Sequence, residues 1–519
     1  MADQQSPNGG APSFDEEFDV IVLGYGFAGA LAAITAADSG CRVLLAEKAE
    51  NPGGISICSG GAMRSAHDAD EAFAYLKATN GGRTPDDVVR VLADGMTTIE
   101  AEVRKLAAVS DAEIDTREKG GNYPFPGVET FYHTNITRVP GHETQAETYP
   151  HIMARPSANG WRVFRVLEDN VDRRDVDVRY RLAAKRLITN NAKEVIGVRF
   201  EDEKGGQVIV KAKRAVILCT GGFEADEEMK KQFWEIGPVL TATSTTNTGD
   251  GIRMAQEVGA DLWHMWHFHG SYGFKHPDPN YPVSIRVKRL PDWMPGRERT
   301  AKVKMCWIVV DQDGKRYMNE CTPYTHDTSH RHMEHFDSVR QNFPRVPSYL
   351  IYDEVGRNMY QIGAPTYNQP GLGFSWSEDN MAEVEMGIIK QADTVEELAE
   401  IIGTDPATMQ DTLDRWNAQC HKRKDEDFAR PPGTMTTVKE PPYFVGEVWP
   451  VVSNTQGGPI HNARQQVINV FGEPISRLYS AGECGSAFGY LYLSGANLSE
   501  CLITGKVAGN EAASLTPWD

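Results

Sequence analysis

The 519-residue sequence has no window of eighteen or more apolar residues, so it predicts no transmembrane helix. Basic residues are in deficit, since 53 Lys and Arg against 72 Asp and Glu leave a net charge of −19. Such a balance excludes nucleic acid as a partner, which needs clustered Lys and Arg, and disfavours docking on an anionic membrane. The eight cysteines are scattered and form no C-x-x-C pair, which predicts reduced, mostly buried thiols. No metal site is expected: His330, His332 and His335 in "SHRHMEH" read as a solvated turn. The first fifteen residues lack the basic and apolar regions of a signal peptide and read as a disordered tail, consistent with a cytoplasmic protein. The length itself predicts two domains.

What is present begins with "FDVIVLGYGFAGALAAITAADSGCRVLLAEK". An apolar run, Phe18 to Leu23, leads directly into Gly24-x-Gly26-x-x-Gly29. An Ala-rich helix from about Ala28 to Ser39 and a second strand, Arg42 to Ala46, follow and end at Glu47 and Lys48. Strand, helix, strand and terminal acid make a βαβ dinucleotide-binding unit. Gly24 suits a tight turn, Gly26 lets backbone approach a pyrophosphate, and Gly29 lets the helix pack on the strand. Phe27 and Ala28 then open a helix whose free N–H groups face the phosphates, while Glu47 can accept from a ribose diol.

Three later segments resemble recurrent elements of large FAD flavoproteins. They are "ENPGGISICSGGAMRS", with Gly53, Gly54, Ser56, Ser59, Gly60 and Gly61; "AVILCTGGFEAD", with Thr220, Gly221 and Gly222; and "RLYSAGECGSA", with Gly482 and Glu483. The last acid is expected to hold the ribityl chain. No histidine lies between Gly53 and Gly61, so non-covalent FAD is expected. "TGDGIRMAQEVGADLW", with Asp250, reads as a helix with apolar Ile252, Ala255, Val258 and Leu262. The His-, Trp-, Tyr- and Pro-rich section 275–440 reads as an inserted α+β cap domain between the two parts, 16–274 and 441–519, of an α/β, Rossmann-like FAD-binding domain.

The order of GYGFAG, GGIS…SGG, TGDG, GKRYMNE, TQGG and LYSAGE…GANLSECLITGKVAG resembles the fumarate reductase/3-ketosteroid dehydrogenase superfamily of flavoproteins across residues 17–513. The resemblance implies that the helix start at Ala496, Asn497 and Leu498 faces the flavin. It also places the reacting groups. Where dicarboxylate reductases carry two arginines, this sequence has Tyr324 and Tyr492. Where they carry two histidines, it has Asn454 and Ser271. Tyrosines at those positions are similar to the 3-oxosteroid dehydrogenases, and Tyr492-x-Ser494-Gly495 is closest to the Δ4-(5α) type, with the Δ1 type next.

That resemblance implies a CH–CH oxidoreductase acting beside a ring ketone of a steroid or smaller alicyclic substrate, and a place in steroid metabolism. An α-proton is abstracted and a hydride passes to flavin N5, in either direction. A phenol suits both carbonyl polarisation and proton abstraction, although a tyrosine base, with an ordinary pKa of about 10, needs help from neighbours. Tyr492 is expected to polarise the carbonyl, with Tyr324 and Ser494 abstracting the proton. Tyr490, Gly495, Tyr123, Tyr132 and Ser271 are pocket candidates. No second dinucleotide motif is visible, so an external electron acceptor or donor is expected. The alternative is a fumarate- or urocanate-type reductase of an unsaturated acid, and a non-catalytic FAD-binding subunit is the third reading.

Overall fold

The computed structural model describes residues 13–152, 158–288, 304–321, 324–366 and 372–518; of the predicted tail, residues 1–12 lie outside the described residues. The first strand, Glu16–Leu23, has Phe18 and Val20 through Leu23 buried, as a strand covered on both faces must be. It runs parallel to Val43–Ala46 on one side and to Gln207–Leu218 on the other. Val176–Arg179 and Pro474–Ser480 extend this five-stranded parallel core outward. The sheet thus joins the front of the chain to its end, which makes the α/β FAD-binding fold discontinuous.

The βαβ crossover is the helix Phe27–Asp38, buried nearly all round as its Ala-rich sequence permits. The C-terminal helix Ala496–Ser514 packs along it. Each starts at a glycine, Gly26 or Gly495, with no side chain capping its first turn.

A second sheet is organised by the thirteen-residue strand Tyr443–Thr455. It pairs antiparallel with Phe268–Phe274 and Ser348–Asp353, and parallel with Leu240–Thr241. This sheet therefore draws strands from both sides of residues 274 and 441. Helices Val395–Ile402 and Pro406–Lys422 cover it with a core that includes Leu398, Leu413 and Trp416.

One predicted helix is shorter than its sequence pattern. The one in "TGDGIRMAQEVGADLW" spans Asp250–Glu257 and stops before Gly259, whose φ of +97° no helix tolerates; Leu262–Trp263 is a short strand. In the "GKRYMNE" stretch the charges form a buried cluster. Arg316 lies 2.9 Å from Glu320 and 3.1 Å from Asp425, and Arg430 lies 3.4 Å from Glu320. This cluster anchors the chain just ahead of Tyr324. His330 is not a solvated turn residue: it is buried, stacks on Phe268, and faces the Gly270 carbonyl through Nδ1 at 3.1 Å.

Candidate active site

A cleft of about 790 Å³ opens at the carboxyl end of the parallel sheet, between the first helix and the loops after Ala46, Leu218 and Ser480. Gly24 has a φ of +98°, and a Cβ there would collide with the Cys219 carbonyl oxygen. A Cβ on Gly29 would strike the Gly24 carbonyl oxygen, so this turn and helix close only without side chains. Gly26 is the opposite case: a Cβ would meet nothing within 4 Å, because that side of the backbone faces the cleft. A bare peptide beside an uncapped helix N-terminus suits a pyrophosphate. The residues present therefore fit FAD.

The rest of the lining agrees. Phe27, Ala28, Gly54, Ser56, Thr220 and Gly221 border the cleft. Glu47 also lines it, with Oε2 accepting the Tyr25 N–H (2.9 Å) and Oε1 the Ala49 N–H (2.8 Å). Burial raises its pKa against those two hydrogen bonds. Lys48 is held by Asp250 (2.6 Å) and Thr248 (2.7 Å). Ser59, Gly60 and Gly61 serve a different junction, where the Ser59 carbonyl accepts the Asn159 and Gly160 N–H groups at the head of the helix Gly160–Asp172.

Deeper in the site, two carboxyls crowd Gly222. Glu483 Oε1 accepts the Thr455 N–H at 2.8 Å. Asn247 Nδ2 bridges to Glu224 Oε1 (2.7 Å) and Glu483 Oε2 (3.4 Å). Glu224 Oε2 is buried with no hydrogen-bond partner. Burial pushes the Glu224 carboxyl up to about 7, and burial together with its neighbour's charge raises Glu483 well above the usual carboxylate range. Each carboxyl's charge opposes ionisation of the other.

The reacting cluster forms where the second sheet meets the C-terminal helix. The segment before that helix places Tyr492 so that Gly495 N–H donates to its Oη at 3.1 Å, with the Asn497 N–H also directed at it. Burial, then the neighbouring Tyr324, raises the Tyr492 pKa far above its ordinary value, so the phenol stays protonated. Its ring centroid is 6.2 Å from that of Tyr324 and 4.1 Å from His269. His269 Nε2 lies 3.4 Å from Tyr324 Oη, while its Nδ1 lies 3.0 Å from Asn454 Oδ1. Asn454 Nδ2 points to Asn497 Oδ1 (3.4 Å) and the Thr455 carbonyl (3.5 Å), so its oxygen faces His269. His269 therefore donates from Nδ1 and presents the Nε2 lone pair to Tyr324.

One buried acid gathers the surrounding loops. Asp327 Oδ2 accepts from Tyr123 Oη (2.5 Å) and from the Tyr492 N–H (3.0 Å). Its Oδ1 lies 3.6 Å from His267 Nε2, and the Asp327 N–H donates to the Tyr324 carbonyl at 3.1 Å. Burial alone would raise the Asp327 pKa, but the neighbouring His267 and the charge of Arg331 outweigh it and hold the carboxyl well below its ordinary range.

Of the residues predicted from sequence, Tyr324, Tyr492 and Tyr123 thus meet. Ser494 stands in the same loop, but its recorded bonds are through backbone: its N–H donates to Asn122 Oδ1 and its carbonyl accepts from Arg64 Nε, both at 2.8 Å. Ser271 is buried in its strand and donates to the Tyr272 carbonyl at 3.3 Å. Tyr132 lies elsewhere, stacked on His67 with its hydroxyl 3.1 Å from Glu100. Tyr490 is 39% exposed and does not enter the cluster. His269, Asp327 and Glu224 were not visible as site residues in sequence. His269 is one of three histidines in "WHMWHFHG", between Trp263 and Tyr272, and only its pairing opposite Asn454 singles it out.

The family model described as FAD binding domain matches residues 19–498. A digoxin reductase of Eggerthella lenta is 27% identical over 97% of this chain and 88% of its own length. A fumarate reductase (cytochrome) of Shewanella frigidimarina is 27% identical over 95% of this chain and 77% of its own. The crystal structure of a 3-ketosteroid Δ1-dehydrogenase from Sterolibacterium denitrificans, in complex with 1,4-androstadiene-3,17-dione, superposes with a TM-score of 0.78 at 23% identity, covering 96% of this chain and 100% of that one. Glycine turn, cleft, carboxyl pair and family match agree: the chain belongs to the FAD binding domain family and is an FAD-dependent oxidoreductase.

Proposed function

We propose that this enzyme acts on a CH–CH bond beside a ring ketone, as a desaturase or, in the reverse sense, an ene-reductase. One observation carries the reading. Two buried phenols stand at the reacting end, and each has a partner that suits it to a different task. Tyr492 Oη accepts from the helix N-terminus, so its own O–H is left to donate to a ketone oxygen. Accepting those N–H groups makes the phenol a stronger donor, while burial keeps its proton in place. Tyr324 faces the His269 lone pair and can pass its proton there as it takes one from the carbon α to the carbonyl. Ser494, through its backbone, holds the loop that carries Tyr492. Bound in the cleft, FAD supplies the hydride-exchanging centre.

Reduction of an unsaturated dicarboxylate would need guanidinium forks at the reacting end. Arg64, which reaches this loop, directs Nε to the Ser494 carbonyl (2.8 Å) and Nη1 to the Gly120 carbonyl (2.7 Å). The test is turnover of cyclic ketones with a dye as electron acceptor, read as enone formation. Tyr324→Phe should retain FAD and lose at least about a hundredfold in kcat, the range of positioned acid–base groups. Wild-type turnover in that variant would overturn the assignment of the base.

A further inference from the structure

The part of the loop that the reacting cluster leaves unused faces outward. Tyr490 is 39% exposed, and beside it Trp266 is 38% exposed, their ring centroids 6.1 Å apart. Two arginines flank these rings. Arg83 Cζ lies 4.8 Å from the Trp266 centroid and 5.7 Å from that of Tyr490. Arg331 Cζ lies 5.6 Å and 5.3 Å from the same two centroids. In a chain with a net charge of −19, neither arginine has a carboxylate within ion-pairing distance among the described residues. Arg331 donates from Nη2 to the Tyr490 carbonyl, and its Nε is buried with no partner.

A guanidinium parked over aromatic faces is held in orientation while an in-plane N–H edge stays available, which suits bidentate capture of a carboxylate by the exposed Arg83; Arg331, with Nη2 engaged and Nε buried, adds its charge and Nη1. The patch is also close to the chemistry. Tyr490 precedes Tyr492 by two residues, about 7 Å of extended chain. Trp266 stacks on His267, which contacts Asp327 beneath the cluster.

We infer that Arg83 and Arg331, with Trp266 and Tyr490, form a recognition site for a carboxylate carried by the substrate on the side away from the reacting bond. The substrate class is then a cyclic ketone acid, neutral where it reacts and anionic where it enters. This rests on the ketone reading for the reacting end only; the anion site stands on its own residues.

The test separates the two. Binding of cyclohexanecarboxylate and of its neutral amide to the FAD-loaded enzyme is measured by calorimetry, without turnover. The acid should bind about twenty-fivefold more tightly than the amide, since each of the two guanidinium groups contributes about fivefold. Arg83→Gln, at an exposed residue, should cost the acid about fivefold and leave the amide unchanged. Arg331→Gln should cost a similar factor by removing the second charge. Equal binding of acid and amide by the wild type, or an unchanged acid affinity in Arg83→Gln, overturns the site. A carboxylate preference in an enzyme that turns over no ketone would sustain the site and sink the ketone reading; ketone turnover without that preference would do the reverse.

Discussion

Asp327→Asn isolates what the buried acid does for the reacting tyrosines. The substitution keeps size and an acceptor oxygen but removes the charge. Asp327 is wholly buried and accepts from the Tyr123 hydroxyl at 2.5 Å and the Tyr492 N–H at 3.0 Å, with His267 Nε2 at 3.6 Å. Hydrogen bonds to a charged acceptor are worth roughly 1 kcal/mol more each than neutral ones, so two such bonds and the His267 contact come to about 2–4 kcal/mol. The assay is thermal unfolding of the FAD-loaded enzyme together with kcat. A displacement of Tyr492 by as little as about 1 Å should reduce kcat on the order of a hundredfold. The pH dependence has a definite sign. Because the folded carboxyl is held below its ordinary value, its stabilisation is complete above the unfolded value of about 4 and fades as pH falls below it. The gap between wild type and variant should therefore be full at neutral pH and narrow in acid. Wild-type melting and turnover in Asp327→Asn at neutral pH would refute the clamp.

Three further outcomes follow from buried groups. Burial lowers the His264 pKa to about 4, so between that value and about 6.5 the unfolded chain binds the extra proton and stability falls with acidification; urea unfolding should show a loss on the order of 3 kcal/mol across that window, flattened in His264→Gln. Glu224, pushed up to about 7, carries the opposite sign: stability drains away as pH rises through 7, so Glu224→Gln should melt higher than wild type at alkaline pH and much like it at pH 4, and an unchanged alkaline melting point would contradict the carboxyl pair. Glu320→Gln strips the anion from between Arg316 and Arg430 and should cost about 3–5 kcal/mol in chemical denaturation; a loss below about 1 kcal/mol would show the cluster is dispensable.

The cofactor half of the site was legible in sequence because it is local. Gly24, Gly26 and Gly29 do their work within one turn, and the strand and helix they join are adjacent in the chain. The helix start at Ala496 was readable for the same reason. The substrate half was legible only through resemblance, and then only in part. Tyr324 and Tyr492 are 168 positions apart, and nothing in periodicity brings them together. His269 reaches Tyr324 because its strand pairs with the one bearing Asn454, a register no local pattern announces. Asp327 sits on a four-residue helix of no distinctive composition, yet contacts two segments far away in sequence. Tyr132, a pocket candidate in sequence, shows the converse: it lies on the strand Phe131–Arg138, whose pairing carries its hydroxyl to Glu100. The neighbour that the tyrosine base needs is, in the proposed reading, His269, positioned to accept its proton; at the helix end burial wins and Tyr492 stays protonated.

The central claim is that this flavoenzyme exchanges a hydride with carbon beside a ketone rather than beside a carboxylate. Anaerobic titration of the oxidised, FAD-loaded enzyme with saturated cyclic ketones and with saturated dicarboxylic acids tests it directly, with the flavin absorbance as the signal. The account predicts bleaching by a 3-oxosteroid or a substituted cyclohexanone and none by succinate. Silence toward every ketone, with dithionite-reduced enzyme reoxidised by fumarate-like acids, would contradict it.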